Sequence, residues 1–198
     1  MFVVDRLATE EILEAFLVSA GIVVLAEMGD KTQLLALVLA ARYRRPVPVI
    51  LGIFAATLAN HALAAWLGAE VAGVLGRDAL RWILGLSFLG MAAWTLVPDT
   101  PEKEKPQSAR LGAFAATLIA FFLVEMGDKT QIATVALAAR YVSIAAVVAG
   151  TTLGMMLADV PAVYFGERIL RRVPAKTVRR VAAASFALLG ALALFDPN

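Results

Sequence analysis

A chain that writes the same seven residues twice, 98 positions apart and each time inside an apolar run, has few ways to fold. Residues 27–33 read EMGDKTQ, and residues 125–131 read EMGDKTQ again. The same shift lays LAARY at 39–43 over LAARY at 137–141, SF at 87–88 over SF at 185–186, Gly52 over Gly150 and Gly68 over Gly166. An internal duplication therefore covers nearly all of the 198 residues, and each copy is expected to fold as one repeated unit.

The units are read as membrane-embedded. Hydrophobic residues make up 61% of the chain, mean hydropathy is +0.79 and 17% of residues are charged, against about 25% in ordinary soluble domains. The charges gather in short connectors, leaving apolar stretches at 12–41, 47–69, 79–97, 111–139, 144–166 and 177–195. Such stretches suffice to cross a hydrocarbon core about 30 Å thick, and in lipid they must be helices, because each backbone group has to be satisfied within its own segment. Each copy holds three spans, an odd number, so the second copy enters the membrane the other way up. The expected fold is an all-α polytopic membrane protein, with six transmembrane helices as two inverted three-helix repeats. Residues 1–97 form the first repeat, 98–110 a cytoplasmic linker and 111–198 the second, inverted repeat. Many secondary transporters are built this way, with the substrate at mid-membrane between the repeats.

Basic residues set the orientation. One side carries Arg6, Arg77, Arg81 and Arg140. The other carries Arg42, Arg44, Arg45, Lys103, Lys105, Arg110, Arg168, Arg171, Arg172, Lys176, Arg179 and Arg180. The richer side is cytoplasmic, which puts both termini outside the cytoplasm and the central loop within it. The start, MFVVDRLATEEILEAF, lacks the basic, apolar and small-residue regions of a signal peptide and reads as mature sequence. The pI near 9.1 accompanies a net charge of only +2, and the basic residues flank spans. They read as topology signals and contacts to anionic membrane lipid, not as a nucleic-acid surface. With no cysteine and one histidine, thiol redox chemistry, disulfides and soft zinc or copper sites are disfavoured.

Against that background the motif is expensive. A charge at mid-membrane costs about 2.5–3.5 kcal/mol or more, so it normally faces a cavity or a partner. Glu27 and Lys31, like Glu125 and Lys129, are four apart and could be ion pairs within one helix. Two identical sets, each with a further aspartate, favour a site. On an unbroken helix Glu27 and Asp30 share a face, as do Glu125 and Asp128, so two facing motifs would gather four carboxylates. With Lys31 and Lys129 charged the cluster sums to minus two, which suits one divalent cation, or protons in its absence. The first stretch, about 30 residues at 1.5 Å each, would make a helix longer than a bilayer core needs, so it must tilt, project or break. Gly29 and Gly127 could serve a helix break or tight packing. A break would let Thr32, Thr130, Gln33 and Gln131 turn inward beside backbone carbonyls. These oxygen donors suit calcium, manganese or magnesium. Met28 and Met126 are candidate soft ligands that would favour manganese, or plain packing residues. Asn60, His61 and Asp159 lie deep in the second and fifth stretches, with His61 opposite Asp159 in the repeat. They are candidates for a proton relay or for support of the site. Gly150 and Gly154 read as a packing contact within the bundle.

At these residues the chain resembles the Golgi manganese/calcium:proton antiporters and their bacterial relatives, the manganese exporters of the MneA type. Their signature is a duplicated Glu-x-Gly-Asp-(Lys/Arg)-(Thr/Ser), present here as Glu27, Gly29, Asp30, Lys31, Thr32 and as Glu125, Gly127, Asp128, Lys129, Thr130. The resemblance spans both halves and the linker. It implies an antiporter that moves Mn2+ or Ca2+ out of the cytoplasm in exchange for H+, with the motif acids as cation ligands and no resident cofactor. The extra N-terminal segment and longer acidic central loop of eukaryotic members are lacking, which points to a bacterial plasma-membrane exporter.

The expected mechanism is competition at the carboxylates: burial favours their neutral form and a nearby cation their ionised form, while rocking of the halves exposes the site alternately. A cation channel with a carboxylate filter is the alternative. An enzyme is not expected, because the motif holds no nucleophile, and a structural subunit would have no use for six buried charges. The two fused halves could act as a monomer or assemble further as a homo-oligomer.

Overall fold

The computed structural model describes residues 2–97, 112–165 and 175–195, and all regular structure among them is helical. Eight helices follow in order: α1 (Phe2–Glu27), α2 (Lys31–Tyr43), α3 (Pro46–Val74), α4 (Arg77–Leu96), α5 (Ala113–Glu125), α6 (Lys129–Arg140), α7 (Ile144–Phe165) and α8 (Ala175–Phe195). The linker expected at 98–110 and the basic stretch at 166–174 lie outside the described residues. Among the described residues three helices, α3, α4 and α7, are long and apolar enough to cross a membrane. Residues 9–27 of α1 and all of α2, bent 74° to one another, meet that test as a pair.

The first and fourth stretches are not continuous helices. Each divides inside the motif, at Gly29 with φ of 82° and at Gly127 with φ of 76°. A right-handed helix cannot pass through that region, and an L side chain there costs about 1–2 kcal/mol. The shared face that an unbroken helix would give Glu27 and Asp30 therefore does not exist: Glu27 ends α1 and Asp30 caps α2. Further along, α2 ends where Arg44 takes a left-handed conformation and its N–H donates to Ala40 O. Pro46 then begins α3 at a position where its missing N–H is harmless.

The packing is written twice, as the sequence repeat is. α7 lies along α1, and α3 lies along α5. At the equivalent positions Gly52 and Gly150 the missing side chain admits a neighbouring backbone. A Cβ on Gly52 would stand 2.8 Å from Phe114 O on α5, and one on Gly150 would collide with Phe16 O on α1. Gly154 repeats the contact one turn on, where a Cβ would lie 2.6 Å from Ala20 O, so the small-residue pair on α7 does pack within the bundle. Helices α3 and α7 meet at the centre. α4 and α8 pair with each other, and Phe88 stacks on its counterpart Phe186 with ring centroids 6.4 Å apart and planes at 25°.

The apolar interior is divided. One core draws Ala15 and Ile22 from α1, Ala65 from α3, Phe88 from α4, Leu137 from α6, Val147 from α7 and Phe186 from α8. The other draws Leu35 and Leu39 from α2, Ile53 from α3, Phe121 from α5 and Ala162 from α7, with nothing from α4 or α8. Between them, along α3, stand the buried polar residues Thr57, Asn60 and His61, and both motif breaks fall at the same boundary. The α4–α8 pair leans on α1 and α6 and has at most marginal contact with α2 and α5.

Candidate cation site

The breaks bring four helix ends together. Glu27 closes α1 and Glu125 closes α5, while Asp30 and Asp128 precede α2 and α6. All four acids are buried. Glu27, Glu125 and Asp128 each offer an oxygen within 4.8 Å of the others, close enough to ligate one ion. The group draws on both halves. The two glutamates lie in the field of their neighbours: Glu125, Asp30 and Asp128 act on Glu27, and Asp128 and Asp30 act on Glu125.

Asp30 takes a different position from its counterpart. Its Oδ1 accepts the Lys31 backbone N–H at 2.6 Å, a helix cap, and its Oδ2 faces Lys129 Nζ at 2.8 Å. Asp128 makes no side-chain cap bond to α6; it stays with the two glutamates while its Oδ1 faces Lys31 Nζ at 3.3 Å. Three carboxylates converge, therefore, and the fourth is drawn aside. The lysines do not pair with the glutamates of their own segments. Lys31 of the first half meets Asp128 of the second, and Lys129 of the second meets Asp30 of the first. The two bridges tie the halves across the breaks. Lys129 is almost fully buried, whereas the Lys31 side chain is 22% exposed.

The remaining motif residues hold this arrangement. Thr32 Oγ1 donates to Glu27 Oε2 at 2.6 Å, and Thr130 Oγ1 to Glu125 Oε2 at 3.2 Å, each bond reaching back across a break. Gln33 and Gln131 brace the turns: Gly29 N–H donates to Gln33 Oε1 at 2.9 Å and Gly127 N–H to Gln131 Oε1 at 2.7 Å. Gln33 Nε2 also donates to Ala158 O on α7 at 2.9 Å, fastening that helix beside the site. Met28 is half-buried. Met126 is 53% exposed, its sulfur facing Gln131 Nε2 at 3.8 Å while the acids on either side of it are buried. Asn60 Nδ2 donates to Phe122 O on α5 at 3.1 Å. His61 and Asp159 are buried, and neither side chain makes a hydrogen bond among the described residues.

Identical motifs could not show in advance that the two aspartates would part company. Nor could the sequence pair lysine and aspartate across the halves, since Lys31 has Glu27, Asp30, Glu125 and Asp128 as equally plausible partners. Another cross-half bond, Tyr141 Oη donating to Glu14 Oε1 at 3.1 Å, joins the end of α6 to α1; neither residue belongs to a motif.

Among known proteins, the family model described as the divalent cation/proton antiporter GDT1 matches residues 15–103 and 113–198. A protein of Vibrio cholerae serotype O1 that carries the provisional name manganese exporter is 50% identical over 194 residues, covering 98% of this chain and 96% of that protein. The GDT1-like protein sll0615 of Synechocystis is 30% identical over 89% of this chain and 94% of its own length. GDT1-like protein 5 of Arabidopsis thaliana is 26% identical over 94% and 97%. No solved structure matches.

Proposed function

The chain belongs to the GDT1 family of divalent cation/proton antiporters, and we propose from that premise that it exports manganese from the cytoplasm in exchange for protons. One observation carries the reading: three buried carboxylates, contributed by both halves, converge within 4.8 Å of one another at the breaks of their helices. A Mn2+ ion held by Glu27, Glu125 and Asp128 would replace repulsion among them with attraction. Thr32 and Thr130, which orient the two glutamates, and Asp30, once released from Lys129, would complete an oxygen-donor set. Such a set accepts calcium too. Manganese is favoured by the name of the Vibrio relative, and the exposed Met126 gives no support to a thioether ligand.

In this reading the membrane organisation is six spans in two inverted repeats, 1–97 and 111–198 about a cytoplasmic linker at 98–110. The first and fourth spans are broken helices, and both termini lie outside the cytoplasm. The duplicated packing of α1 with α7 and of α3 with α5 supports it, as does the halting of apolar core on either side of the motif level. The α4–α8 pair supplies the moving part. It packs on α1 and α6, while the repeat makes α5 and α2 their equivalents. Shifting the pair from the first two helices to the second would open one face of the site and close the other.

Purified protein in liposomes with an imposed proton gradient tests the function. Manganese should accumulate against its gradient with protons moving the other way, and Glu27→Gln or Glu125→Gln should abolish this with insertion unchanged. Undiminished uphill transport in both variants refutes the assignment of the site. Calcium transported in preference to manganese refutes the choice of ion and leaves the site standing.

A further inference from the structure

Two buried groups beside the motif take no part in the carboxylate cluster. His61 on α3 and Asp159 on α7 are equivalent positions of the repeat, 98 residues apart. Both side chains are buried, and neither the ring nitrogens of His61 nor the carboxyl oxygens of Asp159 have a hydrogen-bond partner among the described residues. Each follows a residue that ties its helix to the motif region: Asn60 through Phe122 O, Ala158 through Gln33 Nε2.

The resemblance ends with the charges around them. Asp159 acts on both Glu27 and Glu125, and Asp30 acts on Asp159. Among the groups on the helices packed against α7, α1 brings Glu27, the turn before α2 brings Asp30 with Lys31 beyond it, α3 brings His61, and α6 brings Lys129 behind Asp128. Among the described residues no charged group acts on His61, which is simply buried. Asp159 is thus a carboxyl group within electrostatic reach of the acids but bonded to none of them.

We propose that Asp159 carries one of the exchanged protons without ever ligating the cation. The proposal rests on the exporter reading above and deepens it. A buried carboxyl with no donor on either oxygen is held far more cheaply as the neutral acid than as a bare anion. In the cation-free arrangement its proton stays on Oδ. When a divalent cation settles among Glu27, Glu125 and Asp128, its two charges offset the minus two of the motif cluster, the repulsion that holds the proton on Asp159 is relieved, and the proton leaves for water on the side to which the site is open. As the cation departs the negative field returns, and a proton from water on that side restores the acid. Cation arrival is coupled to proton departure through charge alone, so cation and proton need not compete for the same oxygen.

Asp159→Asn in proteoliposomes separates the two roles. Exchange of radioactive manganese for unlabelled manganese at equal pH needs cation binding and alternation but no net proton movement; uphill uptake with dye-monitored proton flux needs both. The variant should keep manganese-for-manganese exchange within about twofold of the parent, move fewer protons per manganese and lose about tenfold or more of its pH-driven accumulation. Asp159→Glu, which restores a titratable group, should recover the coupling. Asp159→Asn with the parental proton-to-manganese ratio overturns the proposal. So does loss of manganese-for-manganese exchange as complete as that of Glu125→Gln, which would make Asp159 a ligand. If Asp159→Asn does not reach the membrane, Asp159→Ser is judged by the same two fluxes. A parent protein that exchanges no manganese overturns the exporter reading and this proposal together, whereas failure of the variant alone leaves the exporter reading intact.

Discussion

Removing Lys129 should destabilise the protein far more than removing Lys31, although the two occupy identical motif positions. The Lys129–Asp30 bridge is 2.8 Å long, with side-chain exposures of 4% and 0%; the Lys31–Asp128 bridge is 3.3 Å long, with exposures of 22% and 4%. Taking one partner from a buried bridge costs about 3–5 kcal/mol, because the remaining charge loses a partner that water does not screen, while solvent-screened bridges are worth at most about 1 kcal/mol. Lys129→Met falls near the first limit and Lys31→Met, partly reached by solvent, at about 1–2 kcal/mol between the two. A chain of this size loses about 2–4 °C in melting temperature per kcal/mol, so Lys129→Met should melt about 6–20 °C lower. The cause can be isolated. Asp30→Asn keeps an oxygen able to cap α2 through the Lys31 N–H but removes the charge, so adding Asp30→Asn to Lys129→Met should recover most of the loss. Melting curves of the purified protein in detergent, cation-free, for the two single lysine variants and the double variant make the comparison. Equal losses from the two lysines, or a double variant no more stable than Lys129→Met, would refute the argument from burial.

Three further outcomes follow from the same geometry. Thr32→Val removes a 2.6 Å bond to Glu27, and Thr130→Val a longer 3.2 Å bond to Glu125; a hydrogen bond to a charged group is worth about 1.5–3 kcal/mol, so Thr32→Val should weaken manganese binding by about tenfold or more and Thr130→Val by less, as read by equilibrium binding. Gly127→Ala meets no atom within 4 Å but must hold φ near 76°; it should lose about 1–2 kcal/mol from backbone strain alone, and Gly127→Asn, better tolerated in that conformation, should lose less in the same melt. Gly154→Ala would press a methyl to 2.6 Å from Ala20 O, whereas Gly90→Ala on α4 meets nothing within 4 Å; the first should destabilise by about 1–3 kcal/mol and the second should be neutral or stabilise by up to about 1 kcal/mol.

Much of this molecule was legible along one dimension. Continuous apolar stretches long enough to cross a bilayer demand helices, because a lipid-embedded segment of that kind has to satisfy its polar backbone groups within itself. The 98-residue shift laid Gly52 over Gly150 and Phe88 over Phe186; that the two glycines admit a neighbouring backbone and that the two rings stack on each other came from the structure. The cost of charge in an apolar stretch marked Glu27, Asp30, Glu125 and Asp128 as residues in need of partners, and glycine at positions 29 and 127 left a break open as a choice.

Only the tertiary structure chose among partners that spacing leaves equal. It placed Lys31 on Asp128 and Lys129 on Asp30, instead of on the glutamates four residues away, because each break ends one helix at the glutamate and starts the next at the lysine, so that the two no longer share a helix face. It drew Asp30 into a cap and a bridge while Asp128 stayed with the glutamates, so that two copies of one heptapeptide came to differ. It also put Asp159 within reach of the acids while no charged group among the described residues acts on its counterpart His61. Hydropathy and spacing are properties of a segment and its neighbours in the chain. Whether a buried charge meets an ammonium group, a backbone N–H or another carboxylate depends on a few ångströms of approach between helices far apart in sequence, and in low dielectric those few ångströms decide the energy.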